Sequence, residues 1–340
     1  MKPLLNTLYV LTQGAYLTRD GETLAVRVDG DTKLRVPVHT LQSVLCFGQV
    51  SCSPPAMGLC TGSGVSLAFL TEYGRFLARV SGPVSGNVLL RRAQYRWADD
   101  KERAASVARS VVIGKIANCR TVLLRAAREG AGNGGLEAAA RRLAGLVESL
   151  EGAPGVENVR AIEGEAARTY FSVFDHLIVA NKESFYFRVR SRRPPLDNMN
   201  SLLSFFYTLL TYDVASALEG VGLDPAVGFL HTDRPGRPSL ALDLVEELRP
   251  VLADRLALSL VNRRQVKPSD FRALEGGGVV LSDEARKEVL VAYQKRKQEE
   301  VVHPFLEEKA PVGLLAHLQA TLLARHIRGD LDGYPPFLWK

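Results

Sequence analysis

Residues 228–250 read Gly228-Phe-Leu-His231-Thr-Asp-Arg-Pro235-Gly236-Arg-Pro238-Ser239-Leu-Ala-Leu-Asp243-Leu-Val-Glu246-Glu247-Leu-Arg-Pro250. Pro235, Gly236 and Pro238 forbid regular structure, so the first half is a loop. Ser239 is the candidate N-cap of the helix that follows. On that helix Asp243, Glu246 and Glu247 fall at i, i+3 and i+4 and share a face, beside an apolar stripe of Leu240, Leu244 and Leu248. Pro250 should break or kink the helix, which resumes from Asp254 to Leu260. With His231 just upstream, one imidazole and two or three carboxylates can converge beside a buried helix. Such a ligand set accepts a hard divalent cation, Mg²⁺ or Mn²⁺, and the imidazole tilts the choice toward Mn²⁺. Acidic residues at this spacing more often only solvate a helix face, so the neighbouring stretches have to decide.

The first is upstream. Val159-Arg-Ala-Ile-Glu163-Gly164-Glu-Ala-Ala-Arg168-Thr-Tyr170-Phe171 has a helical apolar pattern, with Asn158 as candidate N-cap. Glu163 stands one turn in, directly before a glycine. A helix-interior glycine costs about 1 kcal/mol relative to alanine. Here it would let another backbone, or a substrate, come close. The second is Phe185-Tyr-Phe-Arg188-Val-Arg190-Ser-Arg192-Arg193-Pro-Pro195, which interleaves aromatics with arginines. Guanidinium groups pair with phosphates and aromatics stack on unpaired bases. Asp197-Asn198-Met-Asn200 then opens a strongly apolar helix whose run Leu202–Leu210 is too short to cross a membrane and belongs in a core.

The rest of the chain bounds these readings. It has 340 residues, 46% hydrophobic content and a net charge of +6, enough for two domains and compatible with a polyanionic partner. Its four cysteines, Cys46, Cys52, Cys60 and Cys119, form no CxxC pair, so neither a zinc knuckle nor a redox motif is indicated. No signal peptide and no run of 18 apolar residues is found, and a reduced cytoplasmic setting is the expectation. The glycine-rich 130–135 lacks a leading strand and a following Gly-Lys-Ser/Thr, which excludes a P-loop.

Residues 1–81 show short alternating runs separated by turns, among them a hairpin through Asp20-Gly21, and read as a small β-sandwich. Gly82–Gly86 is the linker candidate, within 82–87. From 88 to 340 the period is helical. The fold class is α+β: a small N-terminal β-sandwich domain followed by a larger all-helical domain. Near the end, Lys295, Arg296 and Lys297 make a second basic cluster on a helix, followed by an irregular aromatic tail that needs something to pack on.

Four segments together resemble one family, the integrase that inserts new spacers into CRISPR arrays, the larger of the two universal adaptation proteins. They are Ile162-Glu163-Gly164 with Ala166-Ala-Arg-Thr-Tyr170; Arg192-Arg-Pro-Pro-Leu-Asp-Asn-Met-Asn200 with Ser201-Leu-Leu-Ser-Phe205; Gly228-Phe-Leu-His231; and Ser239–Pro250. Their order and separations are similar to the family's, and the resemblance covers nearly the whole chain. It implies that Glu163, His231 and Glu246 are metal ligands, Glu246 standing where some members have aspartate. Asp243 would be a supporting catalytic residue. Arg188, Arg190, Arg193, Asn200, Lys295, Arg296 and Lys297 are the candidate DNA contacts. The resemblance further implies a Mg²⁺- or Mn²⁺-dependent transesterification by a 3′-hydroxyl on double-stranded DNA, with spacer precursor and repeat–leader DNA as substrates. With water as nucleophile the same site would act as an endonuclease. The implied partners are a second copy in a homodimer through the β domain, a small ferredoxin-like CRISPR adaptation protein, and an auxiliary adaptation exonuclease. A metal-dependent nuclease acting on branched DNA in repair would use the same ligands, and a non-enzymatic nucleic-acid scaffold would keep them for structure alone.

Overall fold

A computed structural model describes residues 6–74, 76–82, 88–130 and 134–339. The chain divides into two compact units, Met1–Gly86 with Arg286–Gln298, and Asn87–Ala285 with Glu299–Lys340. Residues 83–87 of the expected linker lie outside the described residues.

The first unit is built on β1 (Thr7–Val10), β2 (Tyr16–Asp20), β3 (Thr23–Val28), β4 (Asp31–Pro37), β5 (Ser43–Phe47), β6 (Ser51–Cys52), α1 (Pro54–Gly62), β7 (Ser66–Leu70) and β8 (Phe76–Val80). Two four-stranded sheets result, ordered β1-β5-β7-β8 and β4-β3-β2-β6. β2 and β3 form the expected hairpin, with Asp20 opposite Thr23. The pairs β1–β5, β5–β7 and β2–β6 are parallel. Parallel neighbours need crossovers, and α1 supplies the one between β5 and β7. Ser53 caps α1 by accepting from the Ala56 N–H, with proline opening the first turn. Leu17, Leu24, Val44, Cys46 and Leu67 from both sheets share one core with Ala56, Leu59 and Cys60 of α1. Arg286–Gln298 also belongs to this unit, whereas its position in sequence suggested the helical domain. Within the unit Arg286 stands over the Tyr73 ring at 5.7 Å and the Gln294 amide donates to the Thr7 carbonyl at 3.5 Å.

The second unit carries α2 (Val88–Asp99), α3 (Lys101–Arg128), α4 (Gly135–Glu151), α5 (Val156–Ser172), α6 (Asn198–Val221), α7 (Ser239–Arg249), α8 (Arg255–Asn262), the hairpin β9 (Phe271–Ala273) with β10 (Val279–Leu281), the first turn of α9 (Asp283–Gln298), the hairpin β11 (Glu300–Val302) with β12 (Lys309–Pro311), and α10 (Leu315–Arg328). The two hairpins correct the all-helical expectation. Asp100 separates α2 from α3 by accepting from the backbone N–H groups of Glu102 and Arg103.

α6 spans 24 residues and is long and apolar enough, by length and composition, to cross a membrane, contrary to the short run read in the sequence; 56% of its most apolar 18-residue window is buried. Met199, Leu202, Leu203, Phe206 and Leu209 are interior, so α6 is a core helix. α7 begins one residue after Pro238; Ser239 is its first residue rather than its cap, and its hydroxyl donates to the Thr232 carbonyl at 3.1 Å. Gly155, not Asn158, precedes α5. Pro250 does not end the helical path. Pro250–Asp254 forms a π turn that carries α7 into α8, absorbing the N–H that proline lacks.

Candidate active site

The loop before α7 is folded around one carboxylate. Asp243 Oδ2 accepts from the backbone N–H groups of Phe229 at 2.7 Å and Leu230 at 2.9 Å, and Oδ1 accepts from the His231 N–H at 2.9 Å. Gly228 makes that wrap possible, because a Cβ there would stand 2.9 Å from Asp243 Oδ2 and from Ser239. The His231 ring presents Nδ1 to Asp243 Oδ1 at 2.7 Å. A carboxylate only accepts, so Nδ1 carries a proton toward Asp243 and the Nε2 edge of the ring is turned away from it.

Glu246 lies one turn along α7 from Asp243 and is almost fully buried. Its Oε1 accepts from Arg249 Nη1 at 2.6 Å. Its Oε2 is ion-paired with the Lys115 ammonium at 2.7 Å. The same ammonium donates to Glu163 Oε1 on α5. Three helices thus bring one lysine between two glutamates: α3 gives Lys115, α5 gives Glu163 and α7 gives Glu246. Burial opposes ionisation of Glu246, but Arg249, Lys115 and His231 hold its carboxyl well below the usual range. Burial alone would depress the Lys115 ammonium; Glu246 and then Glu163 overcome this and hold it above the ordinary lysine value.

Arg249 is held in turn. Its guanidinium stands over the Tyr207 ring at 4.7 Å, where Arg190 also approaches at 5.1 Å. Tyr207 and Tyr170 donate to the two oxygens of Asp254 at 2.6 and 3.1 Å. Burial pushes the Asp254 carboxyl up to about 6 against those two hydrogen bonds.

The residues expected from sequence separate into groups. Glu163 and Glu246 meet around Lys115, and His231 is coupled to them through its field on Glu246 and through Asp243. Among the described residues no three His, Cys, Asp or Glu side chains are grouped closely enough to hold an ion as placed; the two glutamates close on the ammonium instead. The donor chemistry fits a divalent cation even so: two carboxylates already converge on one cationic centre, and an imidazole oriented by Asp243 stands by. Glu247 does not join them. It faces away, accepting from the Phe337 N–H at 2.7 Å, the Tyr334 hydroxyl and the Gln319 amide at 3.2 and 3.3 Å.

Of the candidate DNA contacts, Arg188, Arg193 and Lys295 are exposed and Arg296 is half-buried. Asn200 is fully buried, tied to Asp197, Val189, Ser191 and Arg190, and does not face solvent. Arg190 is drawn inward by Asn200 and Ser204, and Lys297 is buried; these three are corrected to internal positions. Lys115 and Arg249 went unremarked in the sequence. The signal for Lys115 is its phase: it shares the interior face of α3 with Val111, Val112, Asn118, Cys119 and Val122.

Gly164 has only the Arg168 guanidinium within 4 Å of an added Cβ, so no protein backbone takes up the approach expected there. Gly164→Ala is accordingly expected to stabilise the protein by about 0.5–1 kcal/mol in denaturant unfolding, the usual gain in a helix interior.

The chain matches the family model for CRISPR associated protein Cas1 over residues 8–295. It is 56% identical over 343 residues to the CRISPR-associated endonuclease Cas1 1 of Chlorobaculum tepidum, across 100% of both chains. Its structure is similar to that of a CAS1 protein from Thermotoga maritima, with a TM-score of 0.83 and 25% identity over 95% of this chain and 97% of that one. A chain of a Cas6-RT-Cas1--Cas2 complex also matches, with a TM-score of 0.83 and 25% identity over 99% of this chain and 36% of that one.

Proposed function

The chain belongs to the CRISPR-associated Cas1 family, and from that premise we propose that it is a metal-dependent DNA integrase and endonuclease that inserts spacer DNA into a CRISPR array. The observation that carries this reading is the meeting of Glu163 and Glu246, from two helices, around a single cationic centre, with the imidazole of His231 oriented by Asp243. Glu163, Glu246 and His231 would hold Mg²⁺ or Mn²⁺. When bound, that ion supplies Lewis-acid polarisation of a phosphodiester oxygen.

The protein's own groups do the rest. Asp243 keeps the His231 proton on Nδ1. Arg249, fixed on Tyr207, orients the Glu246 carboxylate. The near-complete burial of Glu246 keeps water from its carboxylate and strengthens that carboxylate's interactions with nearby charge. In the reaction the 3′-oxygen of the incoming strand forms a bond to the target phosphorus. The incoming hydroxyl gives up its proton as that bond forms, the bond from the same phosphorus to the 3′-oxygen of the target strand breaks, and the leaving oxygen takes up a proton, so protons balance. One ester replaces another, so no energy cofactor is consumed. Two-ended insertion needs two such sites, which supports a homodimer. The likeness to a chain of the Cas6-RT-Cas1--Cas2 complex supports a small ferredoxin-like adaptation protein as partner. An auxiliary exonuclease would trim the spacer.

The test is strand transfer. Purified protein, with and without the small adaptation partner, is given a short duplex with 3′-hydroxyl ends, a supercoiled repeat-bearing plasmid, and Mg²⁺ or Mn²⁺. Plasmid-joined duplex that disappears with EDTA is the expected result. Nicking without joining would favour the repair nuclease.

DNA contact has its own expectation. Arg188 and Arg193 are exposed on the segment before α6, and Arg188 lies over the Tyr186 ring at 5.1 Å. Replacing both by alanine is expected to weaken DNA binding without regard to sequence. The slope of log affinity against log salt should fall by roughly 0.9 for each phosphate that the variant no longer neutralises. An unchanged slope would exclude these arginines from the interface.

A further inference from the structure

Lys115 is unusual in three ways. It is a lysine with 8% exposure on the apolar face of α3, a position lysine almost never takes unless paired. Its partners lie on two other helices, one on α5 and one on α7. And the carboxylate it shares, Glu246, already has a cation of its own in Arg249.

Glu163 and Glu246 are already paired with two cations, Lys115 and Arg249. Two carboxylates this close, one buried and one half-buried, would repel strongly without a cation between them. A divalent ion entering between the two carboxylates would stand against the ammonium already there, and like charges in contact repel, so a resident cation has to withdraw. Arg249 is poorly suited to move. It is the i+3 neighbour of Glu246 on the same helix, and its guanidinium is pinned over Tyr207. Lys115 is suited to move: its ammonium is a compact point charge on a flexible four-carbon stem. The oxygen it would surrender, Glu246 Oε2, has no partner besides that ammonium, whereas Oε1 is held by Arg249.

We propose that in the metal-free protein the Lys115 ammonium occupies the position between Glu163 and Glu246 that a divalent cation takes, and that it is displaced when the ion binds. This rests on reading Glu163, Glu246 and His231 as the ligand set. Lys115 is then a positioning residue. It holds the two carboxylates together before the metal arrives, and it sets the metal affinity by competing for the same oxygens.

The experiment is Mn²⁺ titration of the full-length protein without DNA, followed by electron paramagnetic resonance, on wild type, Lys115→Met, Lys115→Gln and His231→Ala. Removing a unit charge from the immediate neighbourhood of a cation site is worth at least about tenfold in affinity. Both Lys115 variants should therefore bind Mn²⁺ at least about tenfold tighter than wild type. Their metal-free forms should melt below wild type, with saturating Mn²⁺ closing most of the gap. Unchanged or weaker Mn²⁺ binding in either folded variant overturns the proposal. So does a lowered melting temperature that Mn²⁺ leaves untouched, the mark of a purely structural lysine. If neither variant folds without metal, folding restored by Mn²⁺ supports the proposal and failure at saturating Mn²⁺ refutes it. Binding that is lost in His231→Ala but indifferent to Lys115 sinks the displacement alone. Wild type that binds no Mn²⁺, or binding that ignores His231, sinks the ligand reading with it.

Discussion

Glu246→Gln is expected to lower strand transfer by at least about a hundredfold while leaving DNA affinity within a few-fold of wild type, because the change removes a charge that preorganises the site and no group that faces solvent. Glutamine is the sharper substitution. Alanine at this position would strand two buried cations, Lys115 and Arg249, at 2.7 and 2.6 Å from where the carboxylate oxygens stood. Breaking a buried pair in that way costs about 3–5 kcal/mol of stability, and lost folding would then pass for lost catalysis. Glu163→Ala and His231→Ala should abolish transfer to a similar degree, with a smaller effect on folding, since both side chains are only partly buried. Rates of joined product, read beside DNA affinity from fluorescence anisotropy, check the prediction. Near-normal transfer in Glu246→Gln would remove α7 from the chemistry.

The second large effect is on stability. Glu247→Ala is expected to destabilise the protein by about 3–5 kcal/mol in denaturant unfolding. Glu247 is the buried acceptor for the end of the chain: Tyr334, the Phe337 N–H and Gln319 all donate to it. Burial pushes its carboxyl up to about 7 even against those donors. Asn118 on α3 fastens the same segment, donating to the carbonyls of Glu247 and Phe337 and accepting from the Trp339 N–H at 2.7 Å. Trp339 lies under Arg125 at 3.7 Å and Arg255 at 4.2 Å. Truncation after Gly333 strips away most of those interactions, so the combined variant should lose much less than the sum of the two single losses. Full additivity would mean that Glu247 and the terminal segment act independently.

These two glutamates, adjacent in sequence, show how far the sequence could be read. The i, i+3, i+4 rule placed Asp243, Glu246 and Glu247 on one face of α7. Two of them do serve one site, Asp243 through the imidazole it holds. Glu247 instead turns about 100° around the helix, toward a partner almost ninety residues away that no local pattern announces. The aromatic tail signalled its need for a surface but not which one. The β unit was legible as alternating runs with turns, whereas its parallel pairings depend on crossovers that alternation does not encode. Arginines interleaved with aromatics read as a DNA surface, yet Arg190 has Asn200 and Ser204 within reach and turns inward. Lys115 was hidden for a simpler reason. A lysine on an alanine- and arginine-rich helix is ordinarily solvated, and only its phase against Val111, Asn118 and Val122 betrays it.

The β unit's last piece also has a history in time. Arg286–Gln298 packs with strands that end by Val80, so roughly two hundred residues separate the two in synthesis. Leaving the ribosome at about 5–20 residues per second, the strands wait on the order of ten seconds or more for the helix that completes them. During that interval the Thr7 carbonyl is without Gln294 and the Tyr73 ring without Arg286. A fragment cut at Gly86 would be frozen in this nascent state, and separate production of the β unit would require supplying the helix as a peptide or splicing it onto the strands.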